Sequence, residues 1–107
     1  MKRIEAFIHH VRVERVIQSL GDAGFRNIVL HDVRGMLKPI TERERDYSGE
    51  TGGLVISEVC LSLVVEDSER EHVTALIREA GRVGPNIAGH IYISTVDEAL
   101  TIGGPTP

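Results

Sequence analysis

Twice along the sequence, the spacing of the apolar residues changes from every second position, which is typical of a β-strand, to every three or four positions, which is typical of a helix. Residues 3–9 place an aliphatic residue at every second position, which indicates a half-buried strand. From Val13 the apolar residues recur on one side of a helix, and Gly24 follows as a predicted helix stop. Residues 28–33 are rich in β-branched and aliphatic side chains and are again typical of a strand.

The second half of the chain repeats this order. Residues 56–65 are apolar at most positions, which predicts a strand in the centre of a sheet. Ser68 and Glu71 have the spacing of a capping box at the start of a second helix, and Gly81 is expected to end that helix. Residues 91–93 form a short last strand. The order βαββαβ predicts an α+β, ferredoxin-like fold with both helices on one face of an antiparallel sheet.

The predicted sheet has a second face that the helices do not cover. Phe7, Val29 and Val64 are expected on this face, and they are too apolar to remain in contact with water. Oligomers commonly bury such faces against copies of the same chain. The sequence therefore predicts an oligomer.

The connection between the second and third predicted strands, residues 36–55, is unusually long. It is rich in charge and glycine and contains few residues that could pack. Two neighbouring strands need only a few joining residues, so a connection of this length is typical of a functional loop. The charged run 42–46, considered alone, fits a solvated segment or a nascent helical turn. Its position in this loop favours a role in docking a partner.

Composition excludes several classes of protein. The 107 residues are expected to form one domain, with the 41% apolar and 26% charged residues of a soluble globular protein. A net charge of −4 and only 4% aromatic residues argue against a nucleic-acid partner. No apolar run has the length of a membrane span, no signal peptide is recognisable, and Cys60 is the only cysteine. We therefore expect a cytoplasmic protein.

No group of residues has the pattern of a catalytic or metal site. The five histidines, at positions 9, 10, 31, 72 and 90, lack ligand spacing. No Ser–His–Asp or Cys–His arrangement has a supporting motif. The sequence therefore predicts neither an enzyme nor a metal centre.

Several segments together resemble the PII signal-transduction proteins: residues 3–8, the helix that begins at Val13, residues 33–35, the charged loop 36–55, Gly84, and residues 89–91. The similarity extends from residue 1 to about residue 102, which would form a single domain followed by a flexible tail over 103–107. It implies a homotrimer that binds adenine nucleotides in clefts between subunits. It also implies that the loop reports the bound nucleotide to a membrane transporter or metabolic enzyme.

The resemblance also implies which residues bind. By position, the base and ribose would contact Phe7, Val29, Ser62 and Val64. The phosphates would lie beside Gly35, Met36, Leu37, Lys38, Gly84, Gly89 and His90. Glycine permits close approach of backbone N–H groups to phosphate oxygens, and a lysine offsets their charge. The residues expected to dock the partner are Arg43, Arg45 and Tyr47.

Four positions depart from the phosphate site of the family. Pro85 and His90 stand where the family has lysines, and Thr101 and Gly103 stand where it has arginines. Each charge-assisted hydrogen bond contributes roughly 1.5–3 kcal/mol, so a triphosphate should suffer most from these losses. We therefore expect ADP or AMP to bind better than ATP. Whether magnesium takes part stays open.

Two further departures concern the 2-oxoglutarate site of the family. Pro39 and Glu58 stand where the family has a glutamine and a lysine, and a carboxylate at position 58 would repel a dicarboxylate. Two alternatives to nucleotide sensing remain open. One is a sensor of a small anion such as bicarbonate in carbon metabolism, and the other is a trimeric, metal-tolerance-like module without a nucleotide.

Overall fold

The computed structural model describes residues 1–35 and 56–104, with only the backbone for residues 34, 35, 56 and 57. The main elements in these ranges are β1 (Lys2–His9), α1 (Val13–Asp22), β2 (Val29–Gly35), β3 (Ile56–Val65), α2 (Arg70–Ala80) and β4 (His90–Thr95). Short 3-10 turns, His10–Arg12 and Asp67–Glu69, precede the two helices. The predicted order βαββαβ is confirmed.

The strands form one sheet in the order β2-β3-β1-β4, in which every neighbouring pair is antiparallel. The two central strands, β1 and β3, are therefore separated along the chain by a helix, a strand and the long connection. This topology confirms the ferredoxin-like fold. The prediction that residues 56–65 form a central strand is also correct, because β3 pairs with β2 on one side and with β1 on the other.

The core lies between the two helices and one face of the sheet. On the central strands, Ile4 is opposite Leu63 and Ala6 is opposite Leu61, and all four side chains are buried. Ile8 and Val65 of the same two strands also belong to this cluster, and the helices contribute Val16, Leu20, Val73, Ile77 and Ala80. Full burial of one such aliphatic side chain stabilises a fold by about 1.5–3 kcal/mol. Neither α1 nor α2 is long and apolar enough to span a bilayer.

The start of the second helical segment differs from the prediction. The capping box consists of Glu66 and Glu69 instead of Ser68 and Glu71. The side chain of Glu66 accepts a hydrogen bond from the backbone N–H of Glu69, and the backbone N–H of Glu66 donates to Glu69 Oε1 at 3.1 Å. The chain begins to coil earlier than predicted, in the 3-10 turn, so Ser68 lies inside that turn and cannot be its N-cap.

Candidate functional site

One face of the sheet, which we call the open face, carries no helix among the described residues. Because side chains alternate along a strand, the register places Phe7, Val29, Ser62 and Val64 on this face. Val29 is 53% exposed and Val64 is 42% exposed. The sequence therefore placed these apolar residues correctly on the face opposite the helices.

Sheet register brings some of the predicted binding residues together. Phe7 is opposite His90 across β1 and β4, and Val29 is opposite Ser62 across β2 and β3. Val64 is different, because it lies four residues along β3 from Cys60, the partner of Phe7. That separation is about 14 Å. Within one chain, Phe7 and Val64 therefore do not meet.

Tyr92 extends the predicted site along β4, although the sequence analysis did not single it out. Its ring centroid lies 5.9 Å from that of Phe7 in an edge-to-face arrangement and 6.3 Å from that of His90 at an interplanar angle of 30°. Aromatic pairs prefer such edge-to-face contacts. The alternation of His90 and Tyr92 within a short strand was the sequence signal that could have revealed this cluster.

A cavity of about 540 Å³ opens between β1, the end of α2 and the connection from α2 to β4. Its walls are formed by residues 6–8, residues 84–91 and the last turn of α2 with the residues that follow it. Four of the predicted binding residues line this one cavity: Phe7, Gly84, Gly89 and His90. The cavity therefore joins half-buried Phe7 to Gly84 and Gly89, two of the three glycines that were assigned to the phosphates.

Two of the glycines in this wall, Gly84 and Gly89, have a structural reason to be glycine. Gly84 has a φ of +64°, a left-handed conformation that residues with a Cβ rarely adopt. Gly89 passes so close to β1 that a Cβ at this position would collide with the carbonyl oxygen of Phe7. The two glycines thus let the connection turn and run against β1, which closes one side of the cavity.

Two arginines that the sequence analysis did not identify also line the cavity, Arg78 and Arg82. Arg82 Nη1 lies 3.8 Å from Glu79 Oε2, and both side chains are exposed, so this ion pair contributes little to stability. The carbonyl oxygen of Arg82 accepts a hydrogen bond of 2.9 Å from Arg12 Nε. This bond ties the end of α2 to the start of α1.

The positions that depart from the family pattern have different surroundings. Pro85 and His90 are part of the cavity wall. Thr101 and Gly103 lie after β4, are exposed and do not line the cavity. Among the described residues, the arginines that line the cavity therefore belong to the end of α2 and the residues just after it, and not to the segment after β4.

Two buried titratable residues face each other at one end of the open face. His9 is opposite Glu58 in the sheet register, and the two residues are 3% and 4% exposed. Burial, helped by the neighbouring charges of His10 and Arg12, lowers the pKa of His9 to about 4. Its Nδ1 accepts a hydrogen bond of 3.2 Å from the backbone N–H of Val11. His9 is therefore neutral at neutral pH.

Other predicted residues lie outside the described ranges: Met36, Leu37, Lys38, Arg43, Arg45 and Tyr47. Gly35 is the last described residue before that segment, and its backbone is paired with Ile56. Across residues 1–35 and 56–104, no three His, Cys, Asp or Glu side chains are grouped as a metal site would require.

The sequence of this chain is similar to those of proteins from one known family. Residues 1–104 match the family model described as nitrogen regulatory protein P-II. A nitrogen fixation nifHD region GlnB-like protein 1 from Methanothermobacter marburgensis is 36% identical over 104 residues, which cover 95% of this chain and 93% of the relative. A nitrogen regulatory protein P-II from Microchaete diplosiphon is 29% identical over 102 residues, covering 95% and 91%.

The structural comparison agrees with the sequence comparisons. The crystal structure of Arabidopsis thaliana PII bound to citrate matches with a TM-score of 0.69 and 26% sequence identity, covering 89% of this chain and 76% of that one. Fold, sequence and the span of the match therefore lead to one conclusion: this chain belongs to the nitrogen regulatory protein P-II family.

Proposed function

We propose that this protein is a cytoplasmic PII-type regulator, and not an enzyme, that binds an adenine nucleotide between the subunits of a homotrimer and thereby controls a partner protein. One observation carries the proposal. Phe7, Gly84, Gly89 and His90, which the family resemblance assigns to the nucleotide, line a single cavity beside the open face. Family membership supports a regulatory role for that cavity.

The distribution of the remaining predicted residues supports a site shared between subunits. Val29, Ser62 and Val64 lie on β2 and β3, whereas the cavity lies beside β1 and β4. Val64 lies about 14 Å along β3 from the position opposite Phe7, so a neighbouring copy of the chain would bring a Val64 side chain to the cavity more directly than the same chain can. The exposed apolar side chains of Val29 and Val64 favour such an assembly, because contact with another copy removes them from water.

The nucleotide preference follows from the charges around the cavity. Its volume of about 540 Å³ is within the usual range of small-molecule sites. Pro85 supplies neither a cation nor a backbone donor, and Thr101 and Gly103 supply no cation. A triphosphate needs the most compensation, so ADP and AMP bind more tightly than ATP in this proposal.

Residues 36–55 transmit the bound state to the partner, a membrane transporter or a metabolic enzyme. Their two ends continue directly from β2 and β3, the strands that carry Val29 and Ser62. A ligand that binds one arrangement of this segment more tightly shifts the population towards it, and only that arrangement fits the partner. Arg43, Arg45 and Tyr47 are the proposed docking residues.

The test is calorimetric titration of the purified protein with ATP, ADP and AMP, each with and without magnesium. The proposal expects saturable binding of ADP or AMP and weaker binding of ATP. Lys38→Ala should weaken nucleotide binding, whereas Lys2→Ala should not, because the Lys2 ammonium donates to Thr95 Oγ1 away from the cavity. Absence of binding for all three nucleotides would refute the proposal.

A second candidate function is the sensing of a small anion such as bicarbonate. The Arabidopsis relative was solved with citrate, a small carboxylate, and this chain has two arginines beside its cavity. Titration with bicarbonate, alone and after saturation with AMP, separates the two functions. Bicarbonate binding without any nucleotide binding would favour the anion sensor.

A further inference from the structure

A side chain from the turn before α1 holds the start of the connection that forms one wall of the cavity. Arg12 belongs to the 3-10 turn His10–Arg12, and its Nε donates a hydrogen bond of 2.9 Å to the carbonyl oxygen of Arg82, 70 residues further along the chain. Within residues 1–35 and 56–104, no other hydrogen bond joins residues 82–88 to another element. The connection is therefore anchored at two points: by Arg12 at Arg82, and by close packing against β1 at Gly89.

The side chain of Arg12 has no other structural role among the described residues. Arg12 immediately precedes α1, yet its side chain makes no capping hydrogen bond to that helix. Across residues 1–35 and 56–104 it forms no ion pair, and it does not line the cavity. Arg12 can therefore act on the cavity only through the backbone of Arg82.

The turn that carries Arg12 is itself held by His9, the last residue of β1. His9 is the N-cap of the turn, and its Nδ1 accepts a hydrogen bond of 3.2 Å from the backbone N–H of Val11. The His9 side chain is buried, and its ring stacks on that of His10 with the centroids 4.6 Å apart. A protonated Nδ1 could not accept this bond, but the pKa of His9, lowered to about 4 by burial, keeps the acceptor at neutral pH.

We infer that His9 and Arg12 are positioning residues of the cavity: His9 fixes the turn, and Arg12 fixes the connection that contains Gly84 and Gly89. The inference rests on the proposed nucleotide function, because it names residues that prepare the wall for that ligand without touching it. A wall that is already ordered does not have to be ordered by the ligand, which removes part of the cost of binding.

The first test compares Arg12→Ala with the matched control Arg15→Ala. Arg15 is exposed and does not line the cavity. Calorimetry measures the affinity for ADP, and NMR measures the order parameters of the backbone amides in the connection and in β3. Arg12→Ala should bind ADP about two- to tenfold more weakly than the wild type. The order parameters of the connection should fall from about 0.85 towards 0.6, whereas those of β3 should not change. The control should keep the wild-type values of both quantities.

The second test concerns His9. His9→Leu removes the acceptor for the N–H of Val11 and should weaken ADP binding as Arg12→Ala does, whereas His9→Asn supplies another N-cap acceptor and should keep the wild-type affinity. Because both residues act through one turn, His9→Leu/Arg12→Ala should bind ADP no more weakly than Arg12→Ala alone. Additive losses, or equal losses in the leucine and asparagine variants, would overturn the role of His9. If His9→Leu does not fold, His9→Asn and Arg12→Ala still decide, since only Arg12→Ala should loosen the connection.

The two readouts separate failure of the inference from failure of the nucleotide function. Unchanged order parameters of the connection in Arg12→Ala would overturn the inference, whether or not the protein binds ADP. Lower order parameters with unchanged ADP affinity would also overturn it, because the connection would then move without affecting the site. A wild type that binds none of ATP, ADP and AMP refutes the nucleotide function, and the order parameters alone then decide whether Arg12 holds the connection.

Discussion

Gly89 lies directly against Phe7, so that a Cβ on the glycine would collide with the main-chain carbonyl oxygen of the phenylalanine. The next residue, His90, is opposite Phe7 in the sheet, so this close approach marks the point where the connection enters β4. The cavity wall therefore keeps its shape only if residue 89 has no side chain. The stability of the fold and the shape of the proposed nucleotide site therefore depend on the same glycine.

Gly89→Ala should lower the free energy of unfolding by about 1–3 kcal/mol, because the backbone of β1 or of the connection must move to admit the methyl group. The measurement is urea denaturation at one fixed protein concentration. Gly21→Ala is the matched control, since its Cβ would meet no atom within 4 Å in α1. The control should be stabilised by about 0.5–1 kcal/mol. Equal effects of the two substitutions would contradict the steric explanation.

The capping box before α2 gives a second prediction. Glu66→Ala removes the side chain that accepts the N–H of Glu69, and should cost about 1 kcal/mol of stability. Ser68→Ala should change stability by less than about 0.5 kcal/mol, the usual range for surface substitutions. Thermal denaturation of both variants checks that Glu66→Ala is the more destabilising substitution. A larger loss for Ser68→Ala would mean that the serine is the cap after all.

His9 should make stability depend on pH. Its pKa is about 4 in the folded protein, against an ordinary value of 6.5, because burial and the charges of His10 and Arg12 disfavour the imidazolium. As the pH falls, His9 therefore becomes protonated in the unfolded chain at a higher pH than in the folded protein. The free energy of unfolding is not reduced by this effect above about pH 6.5. It falls by up to about 3 kcal/mol as the pH is lowered towards 4.

His9→Asn tests this contribution, because asparagine keeps an acceptor for the N–H of Val11 but does not titrate in this range. The measured quantity is the slope of unfolding free energy against pH between 4 and 6.5. That slope should be shallower in the variant than in the wild type, whatever the absolute stability. Identical slopes would show that His9 titrates alike in the folded and unfolded chains.

The open face should control assembly. Val64→Glu introduces a charge into this exposed apolar surface and should dissociate the proposed trimer, because burial of an unpaired carboxylate is costly. Light scattering should report three times the chain mass of 11.8 kDa for the wild type and a lower mass for the variant. Gln18→Glu adds the same charge on the exposed side of α1 and should leave the mass unchanged. A wild type with the mass of one chain would refute the trimer.

Periodicity was sufficient to predict the strands and helices, because the apolar spacing changes from two to three or four residues wherever a strand gives way to a helix. It failed at the start of α2, where Glu66, Glu69 and Glu71 offer overlapping capping patterns and only the backbone decides among them. Such local patterns do not determine how the chain runs between β3 and α2. The course of that connection depends on the residue at which β3 ends.

The candidate site was predictable only where the family resemblance supplied it. The contacts of Phe7 with Tyr92 and the pairing of Phe7 with His90 join residues more than 80 positions apart, and no local pattern encodes sheet register over that distance. The sequence analysis did not single out Arg78, an exposed residue of α2. It lines the cavity because the connection after the helix folds back towards β1.

The pairing of Gly35 with Ile56 has a consequence for how this protein could change over evolution. The sheet holds the two ends of the intervening segment at neighbouring attachment points, about 5 Å apart, whatever sequence joins them. A different sequence over residues 36–55 can therefore replace the present one without altering the register of any strand. In the proposed function, the choice of partner therefore lies in a segment that can change while the scaffold stays the same.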